Sequence, residues 1–467
     1  MKLTETIKKI KQLFFNNSNN NYFVSEIIDL HFPSTDTEKK KNAEFPTPLL
    51  IRKDILNTIP ESFWKNKNNK IFEPCAGKGQ FILDIISLFM NGLIDVPELI
   101  NPEKRYKFIV TNCIYFADIN PDNIDICKKI ISLGMKNVNL NYYLGDTLNT
   151  EFNIQSYFKT NGFNLVIGNP PYNISGKTST GNTLYQDFIR KPLNEWLLPQ
   201  GYLLYVTPPA WRKPIFEKDQ EIYKKSCSKN YGLYQLMSID NHMIYLEMHN
   251  EKDGQKHFKA GTRYDFYLIQ KKSPITDEGF KTTIVIDDEG IENTVLMNEW
   301  PWLPNRNFDK VKSLMAKFRR IPVQGTDIMK IEYLEPTVEM VYSTSAYETR
   351  KDFTSKEESE IFKYPLVHST NSKGTTYYWS SRNDRGHFNI PKVIFSKNGY
   401  GNPEIDLLGK YGMTEYAMAI TGSDLNKIYE ILPSENMKKL EKALKWSLIA
   451  IEWRVFTSFK KNFYKFI

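Results

Sequence analysis

Short apolar runs alternate with segments of helical periodicity from Lys70 to Lys272, and this rhythm constrains the fold of the chain most strongly. The apolar runs include KIFEP, IYFAD, NLVIG and YLLYV, with helix-period segments such as FILDIISLFM and NIDICKKIISLG between them. Strands that alternate with helices indicate a mostly parallel sheet that helices cover on both faces. We therefore predict an α/β, doubly wound fold whose ligands bind at the carboxyl ends of the strands.

The chain has 467 residues, more than one ordinary domain needs, and the alternation stops near residue 280. Beyond that point, strand-like pieces such as TTIVID and PKVIFS are mixed with turns and charged patches, and a helical tail begins at Ser434. The predicted organisation is an N-terminal helical segment (1–40), a first domain (41–275) and a mixed α+β second domain (280–467).

The net charge and the cysteine content limit which partners and which cellular compartment fit this chain. The chain has 62 Lys and Arg against 54 Asp and Glu, a net charge of +8 that suits a polyanionic partner. Four cysteines without CxxC spacing fit a reducing compartment, and six scattered histidines offer no zinc pattern. No run of 18 apolar residues occurs. We expect a soluble protein that is cytoplasmic or otherwise intracellular, with no metal and no membrane partner.

The stretch LVIGNPPYN, Leu165 to Asn173, ends a strand in an unusual way. An apolar run bounded by glycine predicts a buried strand, and the two prolines after it bar both strand pairing and helix. A rigid backbone that fixes the Asn169 amide and the Tyr172 ring beyond a strand end is typical of a binding device. A plain strand exit gives the same pattern, so the rest of the chain has to decide.

The segment IFEPCAGKGQF, Ile71 to Phe81, predicts a strand, a tight glycine turn and a helix. Gly77 and Gly79 let the backbone approach a ligand closely, and the helix N-terminus favours a carboxylate. The full G-x-G-x-x-G pattern is missing, so a dinucleotide is not favoured. Glu73 at the strand tip repels a pyrophosphate and suits a ligand that carries a positive centre.

Two further strand tips carry carboxylates. YFADINP ends one strand with Asp118, which can accept both hydroxyls of a ribose, and YYLGDTL places Asp146 where it can accept a hydrogen bond from an adenine amino group. A helix cap or turn residue explains each acid alone. A glycine turn, two aspartates and NPPY in this order, however, indicate one nucleoside-binding site.

These motifs, FEPCAGKGQF, ADIN, GDTL and GNPPY, preceded by EFPTP at Glu44 to Pro48, resemble the S-adenosylmethionine-dependent adenine-N6 DNA methyltransferases of the gamma class. The likeness covers about residues 40–270 and includes five motifs in the family's order. It implies a mostly seven-stranded Rossmann-like sheet, S-adenosyl-L-methionine as cofactor and a C-terminal target-recognition domain. The segment 91–112 is longer than usual for the family and is expected to be a helical insertion.

The resemblance assigns residues to the cofactor. Thr47 and Pro48 are expected to pack over its methionine end. The full predicted cofactor-binding set is Thr47, Pro48, Glu73, Cys75, Ala76, Gly77, Gly79, Asp118, Ile119, Asp146, Thr147 and Asn169.

Adenine explains why the chemistry needs NPPY. The lone pair of the exocyclic nitrogen is delocalised into the ring, and acceptors for both amino hydrogens localise it. The side-chain oxygen of Asn169 and the carbonyl of Pro170, held by Pro171, are the predicted acceptors. Because the base must leave the duplex, we expect Tyr172 to stack on it. These four residues form the predicted catalytic set.

Several alternatives share some of these features. RNA adenine-N6 methylation is the nearest rival, and protein glutamine N5 methylation shares NPPY but not FPTP. A DNA-binding protein with an inactive methyltransferase fold is disfavoured because the motif residues are intact. A fused nuclease is not indicated: PEIDLLGK, Pro403 to Lys410, resembles a nuclease core only superficially.

The predicted target-recognition residues lie mostly in a basic, aromatic stretch around TTYYWSSRNDRGHFNIPKVIFSKNGYGN. Basic side chains grip phosphates, and Arg or Asn can read base edges in the major groove. The predicted DNA contacts are Arg382, Asn383, Arg385, Lys392, Lys397 and Asn398, and the family resemblance adds Phe258 as a base-stacking residue on a strand. Double-stranded DNA is the expected partner, with a separate cognate restriction endonuclease and a monomer as the favoured state.

Overall fold

The computed structural model describes residues 2–16, 24–33, 46–173, 183–214, 229–327, 329–342, 345–422, 424–447 and 451–467. The chain divides into two compact units. The first unit comprises Met1–Trp211 and Glu221–Glu299, and the second comprises Arg212–Gln220 and Trp300–Ile467. The first unit thus includes the N-terminal helices and continues beyond residue 275, the predicted end of the first domain.

The central sheet of the first unit has nine strands within the described residues. They are β1 (Ile71–Glu73), β2 (Ile114–Asp118), β3 (Asn141–Leu144), β4 (Phe163–Gly168), β5 (Leu197–Thr207), β6 (His242–His249), β7 (Tyr264–Gln270), β10 (Thr283–Ile286) and β11 (Glu292–Val295); a separate small hairpin joins β8 (Ile275–Thr276) to β9 (Gly279–Phe280). The order is β3-β2-β1-β4-β5-β7-β6-β10-β11. Strands β1 to β5 pair in parallel, and β7 runs antiparallel to both neighbours.

This architecture confirms the predicted α/β, mostly parallel, Rossmann-like fold. The predicted seven strands correspond to β1 to β7. The prediction missed two edge strands, because TTIVID was assigned to the second domain. In the structure that segment is β10, which pairs in parallel with β6 and forms a hairpin with β11.

Helices accompany the strands of the first unit. They are α1 (Lys2–Asn16), α2 (Glu26–His31), α3 (Leu49–Asn57), α4 (Glu61–Trp64), α5 (Gln80–Gly92), α6 (Pro102–Asn112), α7 (Pro121–Ser132), α8 (Ile154–Phe158), α9 (Tyr185–Lys191), α10 (Leu233–Ser238) and α11 (Glu251–Phe258). Short 3-10 turns lie at Pro97–Leu99, Pro209–Arg212 and Met297–Glu299, and a π-turn at Pro192–Trp196. None of the described helices is long and apolar enough to cross a membrane.

Local sequence explains where α6 and α7 begin. Each has an asparagine cap whose side chain accepts a backbone N–H of the first turn, followed by a proline that needs no donor there. The segment 91–112 therefore becomes a 3-10 turn and α6, whose Tyr106 and Ile109 are fully buried. The apolar stripe of α1 packs on the same core through Ile10 and Phe14.

The second unit has mixed α+β content. Its strands are β12 (Phe318–Pro322), β13 (Met329–Tyr333), β14 (Glu339–Val341), β15 (Thr354–Ser355), β16 (Tyr364–Asn371), β17 (Gly374–Ser380), β18 (Lys392–Ser396), β19 (Gly399–Asp406), β20 (Gly412–Met413) and β21 (Ala417–Thr421); its helices are α12 (Phe308–Leu314), α13 (Leu425–Ile431) and α14 (Glu435–Ala443). Two four-stranded sheets have the orders β14-β21-β18-β19 and β15-β17-β16-β20. Within the described residues, the α-helical part of the predicted helical tail ends at Ala443, and two 3-10 turns follow at Trp453–Ser458 and Phe463–Phe466.

Candidate active site

A cavity of about 720 Å³ opens at the carboxyl ends of β1 to β4 in the first unit. Parallel strands bring the segments that follow them to one sheet edge, which is where ligands bind in doubly wound folds. All predicted cofactor-binding residues except Pro48 and Gly79 line this cavity: Thr47, Glu73, Cys75, Ala76, Gly77, Asp118, Ile119, Asp146, Thr147 and Asn169. Their individual roles toward a ligand stay predictions.

The glycine turn after β1 has the backbone shape that its sequence predicts. Gly77 and Gly79 have φ values of +53° and +86°, in the left-handed region that favours glycine. Gly79 caps α5, and a Cβ there would lie 3.1 Å from the Cys127 Sγ. Gly79 therefore shapes the turn and packs it against α7, which accounts for its place outside the cavity wall.

Asp118 joins the ends of β1 and β2. Its Oδ2 accepts the Gly77 N–H at 2.8 Å, and its Oδ1 accepts the Asn120 N–H at 2.8 Å and an Asn123 side-chain N–H at 3.4 Å. These bonds orient the carboxylate before any ligand arrives. Asn120 and Asn123 also line the cavity, although neither was predicted as a site residue.

The segment after β3 presents a more exposed acid. Asp146 is exposed, and its Oδ1 accepts the Leu148 N–H at 2.9 Å, so the side chain closes a local turn. Thr147 beside it is buried. Gly145 donates its N–H to the Asp118 carbonyl at 3.0 Å, which ties this turn to the end of β2.

A buried ionic network adjoins Pro46 and Thr47, and two of its members, Arg52 and Gln80, line the cavity themselves. The fully buried Arg52 of α3 donates from Nε to Asp84 Oδ2 at 2.6 Å, pairs with Asp29 at 3.2 Å, and also donates to the Thr47 carbonyl. Ser25 and Gln80 extend the network through hydrogen bonds to Asp84 and Asp29. The sequence signal for this network is a charged residue within an otherwise apolar stretch of helix, Arg52 in LLIRKDIL and Asp84 in FILDIISLFM, and neither was predicted as a site residue.

Of the EFPTP segment, Glu44 and Phe45 lie outside the described residues. Pro48 occupies the N-cap position of α3. It is therefore placed to start the helix and does not line the cavity. Thr47 is buried in the wall, and its Oγ1 has no hydrogen-bond partner among the described residues.

Glu73 is a buried acid at the end of β1, only 3% exposed. Its Oε2 has no hydrogen-bond partner within the described parts of the chain. Burial, and then the neighbouring Asp118, raise the pKa of this carboxyl well above its ordinary value. The Cys75 thiol beside it is likewise held protonated, because burial and the acids Asp118 and Glu73 raise its pKa.

These donors and acceptors fit S-adenosylmethionine. The unpartnered Glu73 oxygen suits a positive centre, the fixed Asp118 carboxylate suits a pair of hydroxyls, and exposed Ile119 adds an apolar wall. The cavity is also large enough, since small-molecule sites commonly enclose about 300–1,000 Å³.

The NPPY segment continues directly from β4. Asn169 and Pro171 line the cavity; Pro170 is buried and Tyr172 is half-buried, and neither belongs to the wall. The Tyr172 carbonyl accepts the Leu184 N–H at 2.9 Å, which anchors the far end of the segment. Burial, with a contribution from Asp265, raises the pKa of Tyr172, so the phenol is neutral.

The prediction that Phe258 lies on a strand is wrong. Phe258 is the last residue of α11, which starts at a capping box formed by Asn250 and Asp253. Its half-buried ring packs edge-on against Tyr264, with centroids 4.9 Å apart. Phe258 packs against the hydrophobic core of the first unit and does not line the cavity.

The prediction that Lys392 grips phosphate is also wrong. Lys392 is fully buried in β18, and its Nζ lies 2.8 Å from Asp406 Oδ2 and donates to the Ile390 carbonyl at 3.1 Å. Asp406 also accepts the backbone N–H groups of Lys410 and Tyr411. This ion pair fastens β18 to the end of β19 inside the second unit.

The other predicted DNA contacts lie nearer the surface. Asn383, Arg385 and Asn398 are exposed, and Arg382 and Lys397 are half-exposed. Arg382 forms a two-pronged ion pair with Asp384, which lowers the pKa of Asp384 to about 2. The guanidinium carbons of Arg382 and Arg385 each lie 5.5 Å from the centre of the Phe353 ring.

Comparison with known proteins matches part of this chain to one family. The family described as Eco57I restriction-modification methylase matches residues 112–245, a segment that contains ADIN, GDTL and GNPPY. This match confirms the resemblance to restriction-modification methyltransferases that the motifs predicted. No curated protein matches the chain closely enough to count as a relative.

Three solved structures are similar in fold. The type IIL restriction-modification enzyme MmeI in complex with DNA is 12% identical, with 94% of this chain and 69% of that chain covered and a TM-score of 0.50. The methyltransferase subunit of a type I system from Streptococcus thermophilus is 12% identical over 60% and 55% (TM-score 0.39), and the EcoKI M protein is 15% identical over 56% and 50% (TM-score 0.37). The chain therefore spans about half the length of these type I subunits.

Proposed function

We propose that the chain is a site-specific DNA adenine-N6 methyltransferase that uses S-adenosyl-L-methionine. The observation that carries this proposal is that Asn169 of NPPY lines the same cavity as Glu73, Asp118 and Asp146. A cofactor site and an amide-binding motif at one sheet edge fit methyl transfer to a planar amino nitrogen. The restriction-modification match over residues 112–245 supports the same reaction.

We assign the cofactor to the strand tips. Asp118 takes the ribose hydroxyls, Asp146 the adenine amino group, and Glu73 with Thr47 the methionine end. When bound, the cofactor supplies a methyl group on a sulfonium, which is activated for displacement. The chain's task is then to hold both reactants in line and to exclude water.

The NPPY segment acts on the target. The Asn169 side-chain oxygen and the Pro170 carbonyl accept the two amino hydrogens of adenine, so the nitrogen lone pair turns toward the methyl group. The methyl group moves from sulfur to nitrogen, and the nitrogen loses one proton to solvent. Tyr172 stacks on the flipped base and recovers about 1–3 kcal/mol of the unstacking cost.

We assign target recognition to the second unit. Its exposed Asn383, Arg385 and Asn398, with Arg382 and Lys397, carry the donors that read base edges and bind phosphates. Double-stranded DNA is the proposed partner. We further propose a monomer that works with a separate restriction endonuclease in a compartment that contains DNA.

Transfer of a labelled methyl group from S-adenosylmethionine tests the reaction. The full chain is incubated in parallel with double-stranded DNA, structured RNA and a glutamine-containing protein substrate. We expect label in DNA alone, released as N6-methyladenine on nucleoside analysis. Label that enters RNA or protein in preference to DNA would contradict the proposal and identify that molecule as the substrate.

A further inference from the structure

Glu73 stands out among the acids of the cavity because one of its carboxyl oxygens is buried without a hydrogen-bond partner among the described residues. It lies at the end of β1 with 3% of its surface exposed, and Oε2 lacks a hydrogen-bond partner among the described residues. Asp118, by contrast, accepts three N–H groups, and Asp146 is exposed to water. A buried ionised carboxylate without partners is strongly disfavoured.

The charges around Glu73 oppose its ionisation. Asp118 faces it from the end of β2 and Asp84 from α5, and both disfavour a further negative charge. Arg52 of α3 is the favourable charge, but its guanidinium is already held by Asp84 at 2.6 Å and Asp29 at 3.2 Å. Burial raises the pKa of Asp84 as well, but the bonded Arg52 and Ser25 oppose that rise. Glu73, by contrast, forms no ion pair among the described residues.

The uncharged titratable neighbours of Glu73 provide no positive charge that would stabilise its ionised form. The Cys75 thiol on the following turn is half-buried and the Tyr205 phenol on β5 is fully buried, and desolvation raises the pKa of each. Tyr205 and Glu73 flank Gly168, the last residue of β4: a Cβ at Gly168 would lie 3.8 Å from Glu73 Cγ and 3.9 Å from Tyr205 Cε1. The pocket around Glu73 thus lies directly beside the start of NPPY.

We propose that Glu73 is protonated in the empty cavity and gives its proton to solvent when a cationic ligand binds beside it. The carboxylate then becomes the counter-ion of that ligand. The site therefore selects a positively charged ligand and couples its binding to proton release. This inference rests on the proposed function, in which S-adenosylmethionine, with its sulfonium and ammonium groups, is that ligand.

The coupling has a defined sign. The bound cation lowers the pKa of Glu73 toward or below its ordinary value, whereas the empty cavity raises it. Between those two pKa values, binding releases a proton and affinity increases with pH, by up to about tenfold per pH unit. Above the raised pKa the carboxyl is already ionised, so the release disappears.

Isothermal titration of the full chain with S-adenosylmethionine tests this coupling without any methyl transfer. Titrations between about pH 5 and pH 7, where an α-amino group of pKa about 7.7–8.0 stays protonated, are repeated in two buffers of different ionisation enthalpy. The difference in observed heat gives the number of protons released. We expect the parent chain to release up to one proton at pH values between the two pKa values of Glu73, and Glu73→Gln to release close to none.

Asp146→Asn is the matched control, because Asp146 is a carboxylate in the same wall that is exposed to water. Its proton release should equal that of the parent even if affinity falls. An infrared difference spectrum of the parent provides a second readout: the stretch of a protonated carboxyl should disappear when ligand binds. That measurement remains decisive if Glu73→Gln does not fold.

The outcomes separate this inference from the proposed function. Binding of S-adenosylmethionine with no proton release, or with equal release in Glu73→Gln, would overturn the inference alone. A chain that transfers methyl groups to DNA with pH-independent cofactor affinity across this range would do the same. Failure to bind S-adenosylmethionine at all would overturn the proposed function and this inference together.

Discussion

The Gly77 N–H donates to Asp118 Oδ2 at 2.8 Å, so the glycine turn after β1 and the carboxylate after β2 form one rigid piece. The turn orients the carboxylate, and the carboxylate in return satisfies a backbone donor of a left-handed glycine. A ligand held by this pair meets groups that are already in position, which lowers the ordering cost of binding.

Asp118→Asn should therefore weaken cofactor binding more than turnover. The amide has one acceptor oxygen in place of two, and it loses the charge that favours the ribose hydroxyls. We expect the dissociation constant for S-adenosylmethionine to rise about 10- to 100-fold, as for lost charged hydrogen bonds, with little change in turnover at saturation. Titration calorimetry and saturation kinetics measure the two effects.

Asp146→Asn is the comparison for Asp118→Asn, because the exposed Asp146 carboxylate accepts the Leu148 N–H at 2.9 Å in a local turn. Its loss of affinity should be the smaller of the two. Parent-like affinity in Asp118→Asn would remove Asp118 from the cofactor site and leave the fold unaffected.

Asn169→Ala should separate chemistry from cofactor binding. Asn169 is placed to act on the target nitrogen, and removal of one preorganised acceptor costs about 100-fold or more in rate. Cofactor affinity should stay within a few-fold of the parent value. Asn169→Asp keeps an acceptor oxygen at this position, so it should retain more activity than Asn169→Ala. Near-parental rates for Asn169→Ala in a labelled-methyl assay would contradict the central assignment.

Local patterns predicted the features that local chemistry decides. The strand and helix alternation, the left-handed glycines and the acids at the strand tips all arise from short segments, and the structure has them. The edge hairpin of β10 and β11 follows the point where the alternation stops, and its place in the sheet depends on pairing with β6, about 40 residues earlier in the chain.

The errors concern partners that are distant in sequence. From the sequence, Lys392 was predicted to be a surface lysine that contacts DNA. In the structure, the register of β18 and β19 places it opposite Asp406. Arg52 reads as a helix-surface residue until α2 and α5 bring Asp29 and Asp84 to it. Phe258 is a different case, because the signal was local. Asn250 and Asp253 form a capping box, a sequence pattern that predicts a helix where we predicted a strand.

The buried ion pair makes Lys392 and Lys397 a test of stability against binding. Lys392→Ala leaves the buried Asp406 without its counter-ion, so the second unit should lose about 3–5 kcal/mol of stability. Lys397→Ala, at the half-exposed turn between β18 and β19, should leave stability within about 0.5 kcal/mol. Denaturant unfolding followed by circular dichroism measures both.

DNA binding should show the opposite ranking. If Lys397 contacts a phosphate, Lys397→Ala lowers the slope of log affinity against log salt concentration by about one unit. Binding titrations at several salt concentrations give the slope. An unchanged slope together with parental stability would exclude Lys397 from the DNA contact, and an unaffected fold in Lys392→Ala would show that Asp406 is neutralised by other means.

Glu73 should also impose a pH dependence on the stability of the chain without ligand. Its folded pKa is raised, so between its ordinary and raised pKa values the folded state binds more protons than the unfolded state. Stability from this group is therefore fully present below the ordinary pKa and is lost as pH rises through the raised pKa.

Thermal unfolding of the ligand-free chain should show a midpoint that declines across this interval. In Glu73→Gln the decline should be shallower, since the amide does not titrate. In the parent chain, saturating S-adenosylmethionine should abolish or reverse the decline, because the bound cation lowers the pKa of Glu73 toward or below its ordinary value. A ligand-free midpoint that rises with pH in the parent and in Glu73→Gln alike would mean that other groups control acid stability and that Glu73 is ionised in the empty cavity.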